Sequence, residues 1–468
     1  MNIFLNIKEA RLLQLKHFLV LTLFFIIFCN IHSTHAQLRI SENKRYLIDE
    51  NGEAFFWMAD TAWELIHRLD KEETKIYLEN RAKKGFNVIQ TVALAELNGL
   101  KEGNADDDLP LIDLDPSQPN EAYFEHLDWV IKEANKLGLY VALLPTWGDK
   151  FNLKWGVGPI IFNAENAELY GAYLAKRYQN DKIIWVLGGD RNPETTEHKL
   201  IINAMAEGIK NICKDNQLIT YHPQGGTVAS SFFGDEEWLA IDLFQSGHFQ
   251  KDYPNFKLTK GSYQNPKIRP VIDAEPCYED HPINWKPSEG WYESFDVRRA
   301  AYWSILSGAA GHSYGNHNIW QMWEKGRTAI SSARTPWQQA LDHEGAFQMG
   351  YMRTFFEQIE WQKLKPCDDI ILSPQTDTTK LGQTCKGSIS DDSNFGVFYI
   401  PYGDSIRLRK DFLRSSTVEY EWFNPRIGKS MRATKRDLNI NNIFNPPGNP
   451  KKGNDWVLLL RVNQITQK

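Results

Sequence analysis

From about residue 50 to residue 360 the chain alternates short apolar runs with longer stretches whose apolar residues recur every three or four positions. Short continuous apolar runs are what strands covered on both faces require, and the three-to-four spacing marks a helix with one buried face. Phe55-Phe56-Trp57-Met58-Ala59 predicts a first strand and Asn87-Val88-Ile89-Gln90-Thr91-Val92 a second. Between them Asp70 and Glu73 have capping-box spacing, and Gly85 is placed to end the helix. A helix from about Asn120 to Gly138 carries Phe124, Leu127, Ile131 and Ala134 on one face. Third to eighth strands are predicted over 140–144, 183–187, 218–221, 241–244, 271–274 and 311–314, the fifth and sixth being the least patterned. Helices are expected over about 167–178, 198–213, 295–306 and 336–360, and Pro270 is expected just ahead of the seventh strand. Eight strands with intervening helices predict an α/β chain folded as a (β/α)8 TIM barrel rather than an open sheet.

After about residue 366 the helical period stops. Runs at 395–400, 415–422 and 456–460 alternate with turn clusters such as Pro446-Pro447-Gly448, which predicts a small antiparallel β-sandwich. The expected division is therefore a barrel over 37–366 and a sandwich over 367–468.

The N-terminus reads differently from both. Lys8, Arg11 and Lys16 precede an apolar run from Phe18 to Phe28, and Thr34-His35-Ala36 follows with small residues where a signal peptidase needs them. That order predicts a signal peptide over 1–36 and export to the periplasm or beyond, with lipidation at Cys29 as the alternative. The run is short for a bilayer span, and no later stretch is long and apolar enough to be one. A formal charge of −6, more negative once the basic leader is removed, argues against nucleic acid as a partner. Cys213, Cys277, Cys367 and Cys385 form no metal-ligand spacing, so neither a metal nor another cofactor is inferred; Cys367 and Cys385 could pair after export. The oligomeric state is not encoded in any of these patterns.

Barrel active sites sit at the carboxyl ends of the strands, so the polar residues ending each strand are the candidates. These are Asp60, Gln90, Trp147, Asp190, Arg191, His222, His248, Glu275, His312 and Tyr314. Asp190 follows Gly188-Gly189, which permits a tight turn, and Glu275 stands at the tip of the seventh strand before Pro276. The fourth and seventh strands face each other across an eight-strand ring, and two opposed carboxyl groups are what glycoside hydrolysis needs. Asp273, two residues earlier on the same strand face, is the rival to Glu275 and is expected to support it from below. Trp63, Trp147, Tyr278, Trp320 and Trp323 offer flat faces for sugar rings on the same rim. The histidines, His317 among them, have no helical metal spacing and suit hydroxyl binding better.

Several segments resemble one family. Gly52-Glu53-Ala54-Phe55-Phe56-Trp57-Met58-Ala59-Asp60-Thr61-Ala62-Trp63, Gly85-Phe86-Asn87-Val88-Ile89-Gln90, Trp185-Val186-Leu187-Gly188-Gly189-Asp190 and Asp273-Ala274-Glu275-Pro276 are similar to motifs of the apiosidase-like barrels. The C-terminal segment is similar to the β-sandwich, named for collagen binding, that often follows this barrel. The resemblance implies glycoside hydrolase family 140, whose members cut the link between apiose and the galacturonic acid backbone of the pectin rhamnogalacturonan II. It also implies that Asp190 and Glu275 are the catalytic pair, and that the source is a pectin-degrading bacterium acting on plant cell-wall oligosaccharide or polysaccharide. The remaining alternatives are another glycosidase on the same scaffold, such as an arabinofuranosidase, and a non-catalytic adhesin binding glycan or collagen through its sandwich.

Overall fold

The computed structural model describes residues 37–374, 377 and 379–462. The expected leader over 1–36 lies outside these residues. No helix among the described residues is long and apolar enough to cross a membrane.

Eight parallel strands form the centre: β1 Trp57–Thr61, β2 Val88–Leu94, β3 Tyr140–Thr146, β4 Ile183–Gly188, β5 Ile219–His222, β6 Asp242–Gln245, β7 Val271–Asp273 and β8 Gly311–Tyr314. The ladder runs 5-4-3-2-1-8-7-6, and an Ile219–Leu239 bridge spans the remaining seam between β5 and β6. The chain is thus a (β/α)8 barrel. Side chains alternate as strand geometry demands. Val88, Val92, Ile184, Val186, Leu243 and Ile272 fill the interior. Ile89, Ala93, Ile183, Trp185 and Leu187 pack outward against the helices. Both faces are buried, which is why these strands read as continuous apolar runs.

The helical layer includes α1 Lys71–Lys83, α2 Glu121–Lys136, α3 Ala164–Tyr178, α4 Thr196–Cys213, α5 Asn255–Tyr263, α6 Ser294–Ile305 and α7 Glu344–Glu357. Asp70 and Glu73 form the expected capping box on α1. In α2 the expected face, Phe124, Leu127, Ile131 and Ala134, is buried in the outer core.

Two expectations need correction. The run 55–59 is divided: Ala54–Phe55 joins a small antiparallel sheet with Leu47–Ile48 and Arg39–Ile40, and the barrel strand begins at Trp57. The last helix, expected over 336–360, is also divided, into Trp337–Ala340 and α7. At the break, the Asp342 carboxylate is held by Lys84 Nζ (2.5 Å) and Asn80 Nδ2 (3.1 Å) of the α1 region.

The C-terminal residues form two antiparallel sheets. The larger contains β9 Lys386–Ser390, β10 Phe395–Ile400, β11 Thr417–Asn424 and β12 Trp456–Val462, and it also takes in Leu364–Pro366. Both of its faces are covered. Phe398, Ile400, Leu458 and Leu460 point into the sandwich core, while Val397, Tyr399, Val457 and Leu459 pack on the barrel beside Met349 and Phe355. Tyr302 of α6 stacks on Tyr399 at 4.7 Å, and Arg298 makes a buried two-bond ion pair with Asp455 (2.6 and 2.7 Å). Cys367 and Cys385 are free thiols, each turned toward an oxygen two residues away, on Asp369 and Gln383 respectively.

Candidate active site

A cavity of about 660 Å³ opens at the carboxyl ends of the barrel strands. Trp63 after β1, Glu96 after β2, Trp147 and Trp155 after β3, and Asp190 after β4 form one side. Gln245 and His248 at and after β6, Glu275, Tyr278 and His281 after β7, and Trp320 after β8 form the other. Among the described residues none beyond Ser331 lines it, so the described part of the sandwich adds no side chain to this cavity.

Asp190 reaches the cavity through an unusual backbone path. Gly188 (φ +91), Gly189 (φ +106) and Asp190 (φ +54) are consecutive left-handed residues. A Cβ on Gly188 would lie 2.7 Å from the His222 carbonyl oxygen, and one on Gly189 would lie 3.0 Å from Gly148 N. Only glycine fits both the torsion and the space. Asp190 itself bears left-handed strain, of the kind that collects at functional sites. Its Oδ2 accepts from Trp155 Nε1 (3.0 Å) and Arg191 Nη1 (3.3 Å). Burial, and then the negative charge of Glu275, push its carboxyl up to about 6 against the opposing pull of Arg191.

Glu275 is 6% exposed and meets two imidazoles. His248 Nε2 lies 3.0 Å from its Oε1, and His222 Nε2 lies 3.2 Å from its Oε2 along a bent path. The backbone N–H of Asp190 donates to His222 Nδ1 (3.3 Å), so the proton of a neutral His222 sits on Nε2, facing Glu275. Burial alone would raise Glu275. The two imidazole N–H groups outweigh it and hold the carboxyl down at about 2.

Several other strand-end candidates do not line the cavity: Gln90 lies beneath it, and others turn outward toward the helices. Asp60 is fully buried, paired with Arg81 (3.0 Å) and bonded by Tyr77 Oη (2.6 Å). Gln90 donates to Thr61 Oγ1 and the Ala274 carbonyl and accepts from Ser313. Asp273 accepts from Ser246 Oγ (2.8 Å) and Asn255 Nδ2 (3.0 Å); burial pushes it up to about 7. Tyr314 donates to Glu279 (2.6 Å), and His312 is 1% exposed. Arg191 is also fully buried; it braces the Trp155 loop by stacking under that indole at 4.1 Å and bonding its carbonyl. For direct contact with a ligand these six positions are corrected. Asp60, His312 and Tyr314 share the outward register of Met58, and Asp273 pairs with His312 and reaches Asn255 on α5, whereas Gln90 points into the barrel with Val88 and Val92. His222 is also buried and reaches the site through Glu275. Trp323 and His317 do not line the cavity; His317 Nε2 bonds the Ile330 and Ser331 carbonyls.

The residues that do line it include some that strand ends did not reveal. Glu96 lies two residues past β2, and its carboxyl has no protein hydrogen-bond partner among the described residues. Burial, then the charges of Asp190 and Asp149, push it up to about 8. Trp155, Phe249, His281 and Trp285 come from long loops. An aromatic beside a glycine turn, as in Trp155-Gly156, was the one available signal.

A family model for the apiosidase-like catalytic domain matches residues 41–363. The chain belongs to the apiosidase-like family. A second model, the "Putative collagen-binding domain of a collagenase", matches residues 368–461. A solved structure described as a glycoside hydrolase superposes on this apiosidase-like chain with a TM-score of 0.82 at 28% identity, covering 91% of this chain and 96% of its own. A glycoside hydrolase family 5 structure from Bacteroides vulgatus gives a TM-score of 0.82 at 29% identity, with 91% and 93% covered. No curated protein sequence matches the chain. With its barrel and these neighbours, the apiosidase-like chain is a glycoside hydrolase and acts on carbohydrate.

Proposed function

We propose that the enzyme is exported through residues 1–36 and hydrolyses the bond between apiose and galacturonic acid in rhamnogalacturonan II, with Asp190 as general acid and Glu275 as nucleophile. One observation carries the catalytic part: two carboxyl groups meet one cavity with opposite tendencies, Asp190 pushed up and Glu275 held down. That division is what a proton donor and a nucleophile need at the same pH. Asp190 passes its proton to the glycosidic oxygen as a Glu275 oxygen bonds to the anomeric carbon, and the aglycone leaves as an alcohol. A water molecule then gives a proton to Asp190 and attacks the same carbon, which releases Glu275 as a carboxylate.

The sugar would pack against the indoles of Trp63, Trp147, Trp155 and Trp320, which line the cavity. The apiose substrate itself is carried by family membership.

The test is product release from rhamnogalacturonan II fragments by wild type, Glu275→Gln and Asp190→Asn. Wild type should release apiose-terminated side chains, and each folded variant should lose on the order of a hundredfold or more. An inert wild type on this pectin, with activity on arabinan or xylan oligosaccharides, would replace the substrate and leave the carboxyl pair to be judged on the new one.

A further inference from the structure

Trp285 stands at the rim of the cavity with 49% of its surface exposed. It sits in the short turn Ile283–Trp285, where Asn284 (φ +53) and Trp285 (φ +58) are both left-handed without being glycine. The turn is held by backbone bonds from Asn284 N to the His248 carbonyl (2.8 Å) and from Ile283 N to the Gly290 carbonyl (2.9 Å). A large apolar side chain is thus kept in water by a strained backbone that the neighbouring loop clamps. The indole meets His248 and His281 nearly at right angles, at 6.0 and 5.7 Å. Among the described residues no ring stacks face to face on it. Phe249, on the loop after β6, also lines the cavity and is 37% exposed. Its contact with Tyr253 is edge-on at 4.8 Å.

We propose that Trp285 and Phe249 form an outer sugar-binding subsite that stacks the ring adjacent to the one being cleaved, so that the preferred ligand is an oligosaccharide. The platform is continuous with the cavity that holds Asp190 and Glu275. A sugar ring presents an apolar C–H face that suits a flat aromatic surface, and its hydroxyls stay in water at such a rim. The His248–His281 stack, 4.4 Å apart, separates this platform from Glu275. The subsite rests on the enzyme acting on carbohydrate and not on which sugar is cleaved.

Calorimetric titration of the full chain carrying Glu275→Gln, with and without Trp285→Ala or Phe249→Ala, tests it. The probes are trisaccharides from rhamnogalacturonan II side chains, arabinan, galacturonan and xylan, each beside its terminal monosaccharide. At least one trisaccharide should bind, Trp285→Ala should weaken it about tenfold, and Trp285→Phe should restore most of the loss. The matching monosaccharide should change by less than about twofold, since one ring does not reach the platform. Equal weakening of both ligands, no change in either, or no binding across the whole panel would overturn the subsite. Failure of the rhamnogalacturonan II arm alone would count against the apiose substrate and leave the platform standing.

Discussion

Nε2 of His222 lies 3.2 Å from Oε2 of Glu275, while Nδ1 of the same ring accepts the backbone N–H of Asp190. One buried imidazole therefore ties the strained turn that presents the first carboxyl to the charge of the second. Its place after β5 comes from ordinary strand geometry, but its tautomer is set by a main-chain donor.

Removing that imidazole should weaken the ionised state of Glu275. His222→Ala, and separately His248→Gln, should lower kcat about tenfold or more. The acid limb of the pH–rate profile should also move upward. Glu275 is held below its usual range and must be ionised, so activity falls as pH drops through its value, and losing a donor raises that value. A lowered kcat with an unmoved acid limb would reduce both histidines to packing.

On the alkaline side, Asp190 must carry a proton. Its carboxyl is pushed up to about 6, so kcat/KM should decline as pH rises through that region. Glu96 is pushed higher still and is protonated there, so Glu96→Gln should keep activity within about twofold, while Glu96→Ala should lose about tenfold through a lost hydroxyl contact. A collapse of activity in Glu96→Gln would mean that its charge, and not its shape, matters.

Stability should fall from mildly acidic to mildly alkaline pH. Burial raises Asp190 to about 6, Asp273 and Glu279 to about 7, and Glu96 to about 8 in the folded chain. The folded state then binds protons more tightly than the unfolded chain, and this contribution is lost as pH rises through those values. Glu275 acts oppositely below its unfolded value of 4.5, and the buried His281, His312 and His317, held below their ordinary value of 6.5, act oppositely up to that pH. The Tm measured in steps from pH 6.5 to pH 8 should decrease; a flat or rising curve would show these carboxyls to be ionised in the folded chain.

Gly188→Ala should cost about 2 kcal/mol or more in denaturant unfolding, because the new Cβ meets the His222 carbonyl and the torsion is left-handed. Gly138→Ala is the comparison, since it shares the left-handed torsion but has open space around it. Equal losses would assign the whole effect to torsion.

Much of the barrel was legible because its strands are covered on both faces and its helices on one, so each leaves a period in the residues. The strand-end rule led to Asp190 and Glu275, both of which line the cavity. The same rule led to Gln90, which points into the barrel below the cavity, and to Asp60 and Asp273, which face the helices, because a strand buried on both faces leaves no alternation from which to read the face a polar residue takes. Trp155 and Trp285 were out of reach for another reason. Their positions follow from left-handed turns and loop-to-loop bonds, which carry no period.

The larger sandwich sheet has one face in its own core and the other against α6 and α7, with the Arg298–Asp455 pair sealed between. Arg298→Met alone should cost about 3–5 kcal/mol by stranding Asp455, and Arg298→Met combined with Asp455→Leu should cost less. A sheet that completes two cores at once cannot be trimmed away like a tag. Cut free, it would carry an oily wall into water, and the catalytic half would be left with a matching bare flank. Calorimetry on the intact protein should therefore record one melting event, and binding assays on the severed C-terminal piece would report on a sticky fragment instead of on the surface that this piece shows in the whole enzyme.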